Sequence, residues 1–371
     1  VAADRRDSHR TAALREFCFA SSTRTGSGHH ARLGQDRPLT ARYAQGRKHH
    51  HELTVHSLTA KNIKRRRYPM NKQAIDALLQ KINDSAINEG NPRTKQIVNR
   101  IVRDLFYTIE DLDVQPDEFW TALNYLGDAG RSGELGLLAA GLGFEHFLDL
   151  RMDEAEAKAG VEGGTPRTIE GPLYVAGAPV SDGHARLDDG TDPGQTLVMR
   201  GRVFGEDGKP LANALVEVWH ANHLGNYSYF DKSQPAFNLR RSIRTDAEGK
   251  YSFRSVVPVG YSVPPQGQTQ LLLDQLGRHG HRPAHIHFFV SAPGFRKLTT
   301  QINIDGDPYL WDDFAFATRD GLVPAVRQAE GAEGKPYGVD GQFALIDFDF
   351  TLFKERDNLP GAEVERVRAE A

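Results

Sequence analysis

Residues 285–304 read HIHFFVSAPGFRKLTTQINI. Two strand-like runs, HIHFFVSA and KLTTQINI, lie on either side of a Pro-Gly connection. The same grammar repeats outward from them. LVMRGRV (197–203) and ALVEVWH (214–220) flank the turn FGEDGKPLAN, and SIRT (242–245) and KYSFRSV (250–256) flank Asp246-Ala247-Glu248-Gly249. FALIDFDFTLF (343–353) closes the set. Several short strands at this spacing predict an antiparallel β-sandwich over residues 166–354.

Ahead of the sandwich the period changes from two to between three and four. Ile97, Val98, Ile101, Val102, Leu105, Phe106, Ile109 and Leu112 recur at helical steps, one wide apolar face. Pro116-Asp117-Glu118 before Phe119, Trp120 and Leu123 reads as a helix start, and a further apolar stretch runs from Leu135 to Leu150. Residues 70–165 are therefore expected to form a helical domain, and the whole an α+β protein. Its apolar content exceeds what a small bundle needs. The expectation is a plain buried core, with a second subunit or a lipid chain as the alternatives. The charged tail 355–371 is expected to be exposed.

The chain has 371 residues, 39% hydrophobic and 26% charged, the balance of an ordinary soluble protein. No apolar run approaches the ~18–20 residues that span a bilayer, and no apolar block follows a charged start as in a secretory signal. No membrane partner and a cytoplasmic location are expected. The single cysteine, Cys18, leaves any metal to His, Asp, Glu or Tyr. Residues 1–69 hold 15 Lys/Arg against 5 Asp/Glu and seven of the fifteen histidines. A basic arm or a transit peptide are readings of this segment. The favoured one is a disordered or non-native leader: Lys64-Arg65-Arg66-Arg67 resembles a translated purine-rich ribosome-binding site, and Met70 opens the first helical pattern. No nucleic-acid partner is expected.

His285-Ile286-His287 carries the sharpest chemical signal. Residues i and i+2 of a strand share a face at ~6.6–7 Å, so both imidazoles can converge on one ion; the alternative is two polar residues on a solvated strand. Tyr261, in VPVGYSVPP, and Tyr227, in WHANHLGNYSYFD, are each ordinary packed aromatics taken alone. Together with two histidines and no cysteine they describe a hard, oxygen-rich site that suits ferric iron.

TIEGPLYVAGAP (168–179), VEVWHANHLGNYSYFD (216–231), FNLRRSIRTDAEGKY (237–251), GRHGHRPAHIHFFVSAPG (277–294), LTTQIN (298–303) and DPYLWDDFAFATRDGL (307–322) resemble the intradiol ring-cleaving dioxygenases, in their catechol-cleaving branch. The helical front resembles that family's N-terminal linker domain. The resemblance implies one Fe(III) per subunit on Tyr227, Tyr261, His285 and His287, with Tyr229 the rival to Tyr227. It implies Arg282, Tyr261 and Gln301 as catalytic residues and Leu137, Ala140, Ile169, Pro172, Leu173, Phe314 and Ala315 as the substrate pocket. Family members often carry proline where this chain has Ala140. Expected substrates are catechol and O2, the product cis,cis-muconate, and the assembly a homodimer through the helices with a phospholipid as a further partner. Hydroxyquinol or chlorocatechol cleavage, a metal-free transthyretin-like binding sandwich and a zinc hydrolase are the competing readings; the last lacks a His-carboxylate motif around HRPAHIHF.

Overall fold

The computed structural model describes residues 70–361, 366 and 368–370. The expectations for 1–69 lie outside the described residues.

Six helices are present among them: α1 (Lys72–Asp84), α2 (Pro92–Asp111), α3 (Pro116–Arg131), α4 (Leu135–Gly141), α5 (Phe144–Lys158) and α6 (Gln268–Gln275). Asn71 and Asn91 cap α1 and α2 through side-chain oxygens that accept N–H bonds from Gln73 and Thr94. Gln115 and Glu118 cap α3 reciprocally, with Pro116 at its first position. The apolar stretch 135–150 falls in two helices, α4 and α5. Gly143, at φ +81°, takes the left-handed turn that separates α4 from α5.

One expectation fails here. None of α2's residues is buried, and Ile101 and Leu105 remain 52% and 53% exposed. A side chain facing outward from an amphipathic helix is buried only by a neighbour. The contacts α2 makes with α1 leave most of its apolar face open.

The sandwich pairs a five-stranded sheet with a six-stranded one. In the first, Leu298–Asn303, His285–Ser291, Leu215–His220 and Arg240–Arg244 lie antiparallel in that order, with Val180–Asp182 at the far edge. In the second, Thr196–Gly205 and Lys250–Val256 form the antiparallel centre. Parallel pairs occur as well: Val180–Asp182 on Arg240–Arg244, His184–Arg186 on Lys250–Val256, and Phe343–Asp347 and Phe350–Leu352 on Thr196–Gly205. The long segments that return to the sheets set these directions, which period-two patterning alone does not encode.

Alternation sorts the His285–Ser291 strand into two faces. Ile286, Phe288 and Val290 enter the core between the sheets with Val216, Val218, Ile243, Met199, Phe253 and Phe350. His285, His287 and Phe289 face the other way, yet they are equally buried. Their cover comes from the loop before the sandwich and from the loops carrying Tyr227, Tyr261 and Phe314. The tail is also tied down, against expectation. Arg368 meets both oxygens of Glu170 at 3.0 Å, Arg366 meets Glu145 at 2.9 Å, and Ala369 pairs with Val175. Carboxylates far upstream in the chain give the tail arginines a seat that the tail's own polarity does not advertise.

Candidate metal centre

Strand register builds the site. His287 lies opposite Gln301 on one side and Trp219 on the other, and Trp219 opposite Arg240. Four adjacent strands thus place Gln301, His287, Trp219 and Arg240 in one row on the outer face. His285 lies one step along, opposite Asn303.

The two imidazoles converge. Their Nε2 atoms stand 3.1 Å apart. His285 Nδ1 is 2.6 Å from the Pro283 carbonyl, which can only accept, so Nδ1 carries the hydrogen and Nε2 keeps its lone pair. The His287 ring lies parallel to the Trp219 indole, centroids 4.9 Å apart and 5° between planes. Burial, then Arg282, pushes His285 down to about 3, and burial holds His287 well below the ordinary histidine value. Both rings are neutral, the form that ligates metal.

Tyr227 and Tyr261 come from separate loops. The Tyr227 hydroxyl is 3.4 Å from His285 Nε2, and its ring meets that of Tyr261 edge to face at 5.6 Å. Gly225 allows this approach. It sits at φ +82°, and a Cβ there would come within 2.9 Å of Tyr261 Cβ. Tyr261 pairs with Arg282 across a two-residue ladder, and its ring lies 5.5 Å from that of His285. Burial and the neighbouring Tyr261 raise the Tyr227 phenol well above its ordinary value, so its ionised form needs a cation beside it. Tyr229 instead packs on Phe230 with Lys232 over its ring. Among the described residues no group of three or more His, Cys, Asp or Glu could hold a metal. Beside the two imidazoles the nearest oxygen donor is the Tyr227 phenol, with the Tyr261 ring adjoining, a donor set that would fit a hard cation.

Arg282 is buried, not a surface ion-pair residue. Its Nη1 is 3.0 Å from His285 Nε2, Nη2 donates to Gln301 Oε1 at 2.7 Å, and its Nε and Nη2 donate to Asp313. Burial opposes its charge, but the Asp313 carboxylate more than offsets this and the pKa stands above the ordinary value. Gln301 passes the chain on to Asn303 at 3.1 Å.

Leu137, Ala140, Ile169, Phe314 and Ala315 meet in one apolar cluster with Val263 and Leu273. Leu173 lies apart from it, against Trp219, Tyr227 and Phe289, and Pro172 faces Gly136 of α4. Arg278 links the two sides of this wall by donating to the Gly141 carbonyl at 2.7 Å and the Phe314 carbonyl at 3.0 Å. Three other histidines of the quoted stretches are engaged elsewhere. His223 pairs with Asp192, His279 with Asp312, and His281 stacks on Tyr309. Tyr174 donates to Glu217 at 2.6 Å. Sequence reasoning passed over Asp313, Arg240, Trp219 and Arg278. They lie inside quoted stretches, but loop residues such as Asp313 and Arg278 carry no periodic signal, and Trp219 and Arg240 reach the site only through strand register.

Two imidazoles, the Tyr227 phenol and the Tyr261 ring thus gather on the outer face of one sheet of the sandwich. Residues 169–353 match the family model described as Dioxygenase, and residues 91–160 the one described as Catechol dioxygenase N terminus. The chain belongs to the intradiol catechol dioxygenase family. It is 59% identical to a catechol 1,2-dioxygenase of Acinetobacter guillouiae over 295 residues, 78% of this chain and 97% of the relative. The crystal structure of the wild-type catechol 1,2 dioxygenase of Acinetobacter radioresistens superposes with a TM-score of 0.79 at 59% identity, covering 81% of this chain and 99% of that one. A hydroxyquinol 1,2-dioxygenase of Rhizobium sp. is 33% identical over 271 residues, 71% of this chain and 90% of the relative.

Proposed function

We propose that this chain cleaves catechol between its two hydroxylated carbons, using O2 and one Fe(III) per subunit held by Tyr227, Tyr261, His285 and His287, and releases cis,cis-muconate. The observation that carries this reading is the convergence of two neutral imidazole nitrogens 3.1 Å apart with the Tyr227 hydroxyl 3.4 Å from one of them. Identity favours catechol over hydroxyquinol as substrate, at 59% against 33%.

Iron(III), when bound, acts as a Lewis acid that draws electron density from the catecholate and opens a ring carbon to O2. Both oxygen atoms of O2 end in the product diacid. Everything else falls to the side chains. Tyr261, as the phenolate that would help hold the iron, would accept one hydroxyl proton of catechol at its oxygen, the other passing to hydroxide. Leu137, Ala140, Ile169, Pro172, Leu173, Phe314 and Ala315 hold the ring flat and exclude water. Arg282, a buried fixed cation 3.0 Å from His285 Nε2, stabilises negative charge as the ring opens. Gln301 orients Arg282 through the 2.7 Å bond.

Among the described residues no helix is long and apolar enough to cross a membrane. The proposed setting is the cytoplasm, in catabolism of aromatic hydrocarbons through the β-ketoadipate route. The open face of α2 supports a homodimer built on the helices, with a phospholipid chain lodged among them.

The natively purified protein should contain iron and show a broad visible tyrosinate-to-iron band that shifts when catechol is added. It should consume O2 and catechol in equal amounts, and catechol faster than 4-chlorocatechol or hydroxyquinol. A colourless, iron-free protein that binds catechol without consuming O2 would overturn ring cleavage in favour of a binding sandwich.

A further inference from the structure

Asp313 stands where two parts of the site meet. Its buried carboxylate accepts the Arg282 Nε–H at 3.2 Å on Oδ1 and the Arg282 Nη2–H at 3.1 Å on Oδ2. It also accepts the backbone N–H groups of Ala315 at 3.0 Å and Ala317 at 3.3 Å. One pair of donors comes from the two-residue strand ahead of the histidines, the other from the loop that carries Phe314 and Ala315. That loop returns to the same strand through Phe314 N–H, which donates to the His281 carbonyl at 3.0 Å.

A guanidinium has five N–H donors in a rigid planar fork. With its Nε and Nη2 edge on a carboxylate, Arg282 has one direction left for Nη1, and that direction is His285 Nε2. Gln301 holds the same plane from the opposite strand edge. Burial pushes the Asp313 carboxyl up, but Arg282 and the Ala315 N–H bring it below the ordinary carboxylate value, so it keeps its charge.

We propose that Asp313 is a positioning residue for ring cleavage: one carboxylate aims the Nη1 edge of Arg282 at the reacting region and ties the ring-contacting wall Phe314–Ala315 at a set distance from that charge. The inference rests on the ring-cleavage reading. It explains why the pair is buried. Two ions taken out of water gain little stability over an apolar pair, but a fork locked on both edges cannot swing away from the point it serves. A reacting group misplaced by ~1 Å costs about 100-fold in rate.

The test uses the iron-loaded enzyme. Asp313→Asn keeps the shape and an acceptor but removes the charge, and Asp313→Glu keeps the charge one methylene away. Each is made alone and in an Arg282→Met background. Iron content, the visible band with and without catechol, thermal midpoint, kcat and KM are measured for all. Asp313→Asn should retain iron and the band while kcat falls about 100-fold and KM moves less than about threefold. Asp313→Glu should recover part of the loss. With Arg282 already replaced, Asp313→Asn should lower kcat by less than about threefold more, because there is no guanidinium left to aim. Wild-type kcat in Asp313→Asn overturns the proposal, and so does an equal loss in both backgrounds, the mark of a purely structural clamp. If Asp313→Asn does not fold, the same comparison is read from Asp313→Glu. Failure of the ring-cleavage reading shows elsewhere, in wild-type protein that leaves catechol intact.

Discussion

Three buried histidines end up on the five-stranded sheet, on opposite faces. His220 points into the sandwich and is answered at both ring nitrogens, by Ser255 Oγ and the Ala221 carbonyl, each at 2.7 Å. His285 and His287 point outward. His285 is answered on Nδ1 by Pro283, His287 lies on Trp219, and their Nε2 atoms face each other. Burial and neutrality are common to all three, so neither marks function. The difference is what the ring nitrogens meet: those of His220 are closed off by Ser255 and Ala221, whereas the Nε2 atoms of His285 and His287 turn towards each other, with Arg282 and Tyr227 beside them. The inward face of the sheet holds the fold together, and the outward face gathers the side chains proposed for chemistry.

The harshest way to break this contrast is to exchange effects across the two faces. His287→Ala should abolish turnover and the visible band in purified protein, while lowering the thermal midpoint less than a core truncation does. Phe288→Ala, one residue away and facing inward between Phe253 and Phe350, should destabilise by about 3–5 kcal/mol in denaturant titrations. The band per folded molecule should survive. If Phe288→Ala loses iron while still folded, the two faces are not separable.

A gentler probe uses pH. Burial pushes His220 from 6.5 down to about 4, so the unfolded chain takes a proton that the folded one refuses. Its contribution is neutral above pH 6.5 and becomes a penalty as pH falls towards 4. In the iron-free protein the slope is up to about 1.4 kcal/mol per pH unit. His220→Gln should flatten that part of the stability–pH curve, and an unchanged slope would mean the inward histidine is not neutral. The smallest effect belongs to Tyr229→Phe. With its ring on Phe230 and under Lys232, it should change stability by less than about 0.5 kcal/mol and leave the visible band unmoved. Loss of that band would make Tyr229 the ligand in place of Tyr227.

The architecture was largely legible in advance. The alternation in HIHFFVSA puts both histidines on one face whatever the rest of the chain does, and Pro116 with Glu118 starts α3 where the pattern places it. The apolar stretch 135–150 divides at Gly143, a boundary that periodicity does not register because it rests on a lone left-handed residue. The tail looked exposed because a charged segment is indistinguishable from a free one until the acids it pairs with are known. Glu170 and Glu145 are about 200 residues away in the chain.

Local sequence, by itself, determined what each segment is: which runs are helical, which alternate, and that any metal here would have to do without thiolate. Tertiary structure alone decided which residues meet. Gln301, His287, Trp219 and Arg240 share a row only through the register of four strands, and Asp313 reaches Arg282 only because a loop folds back across 31 residues. The reason is physical. Strand and helix periods are fixed by backbone geometry over a few residues, whereas register and loop return depend on packing between segments that no local pattern relates.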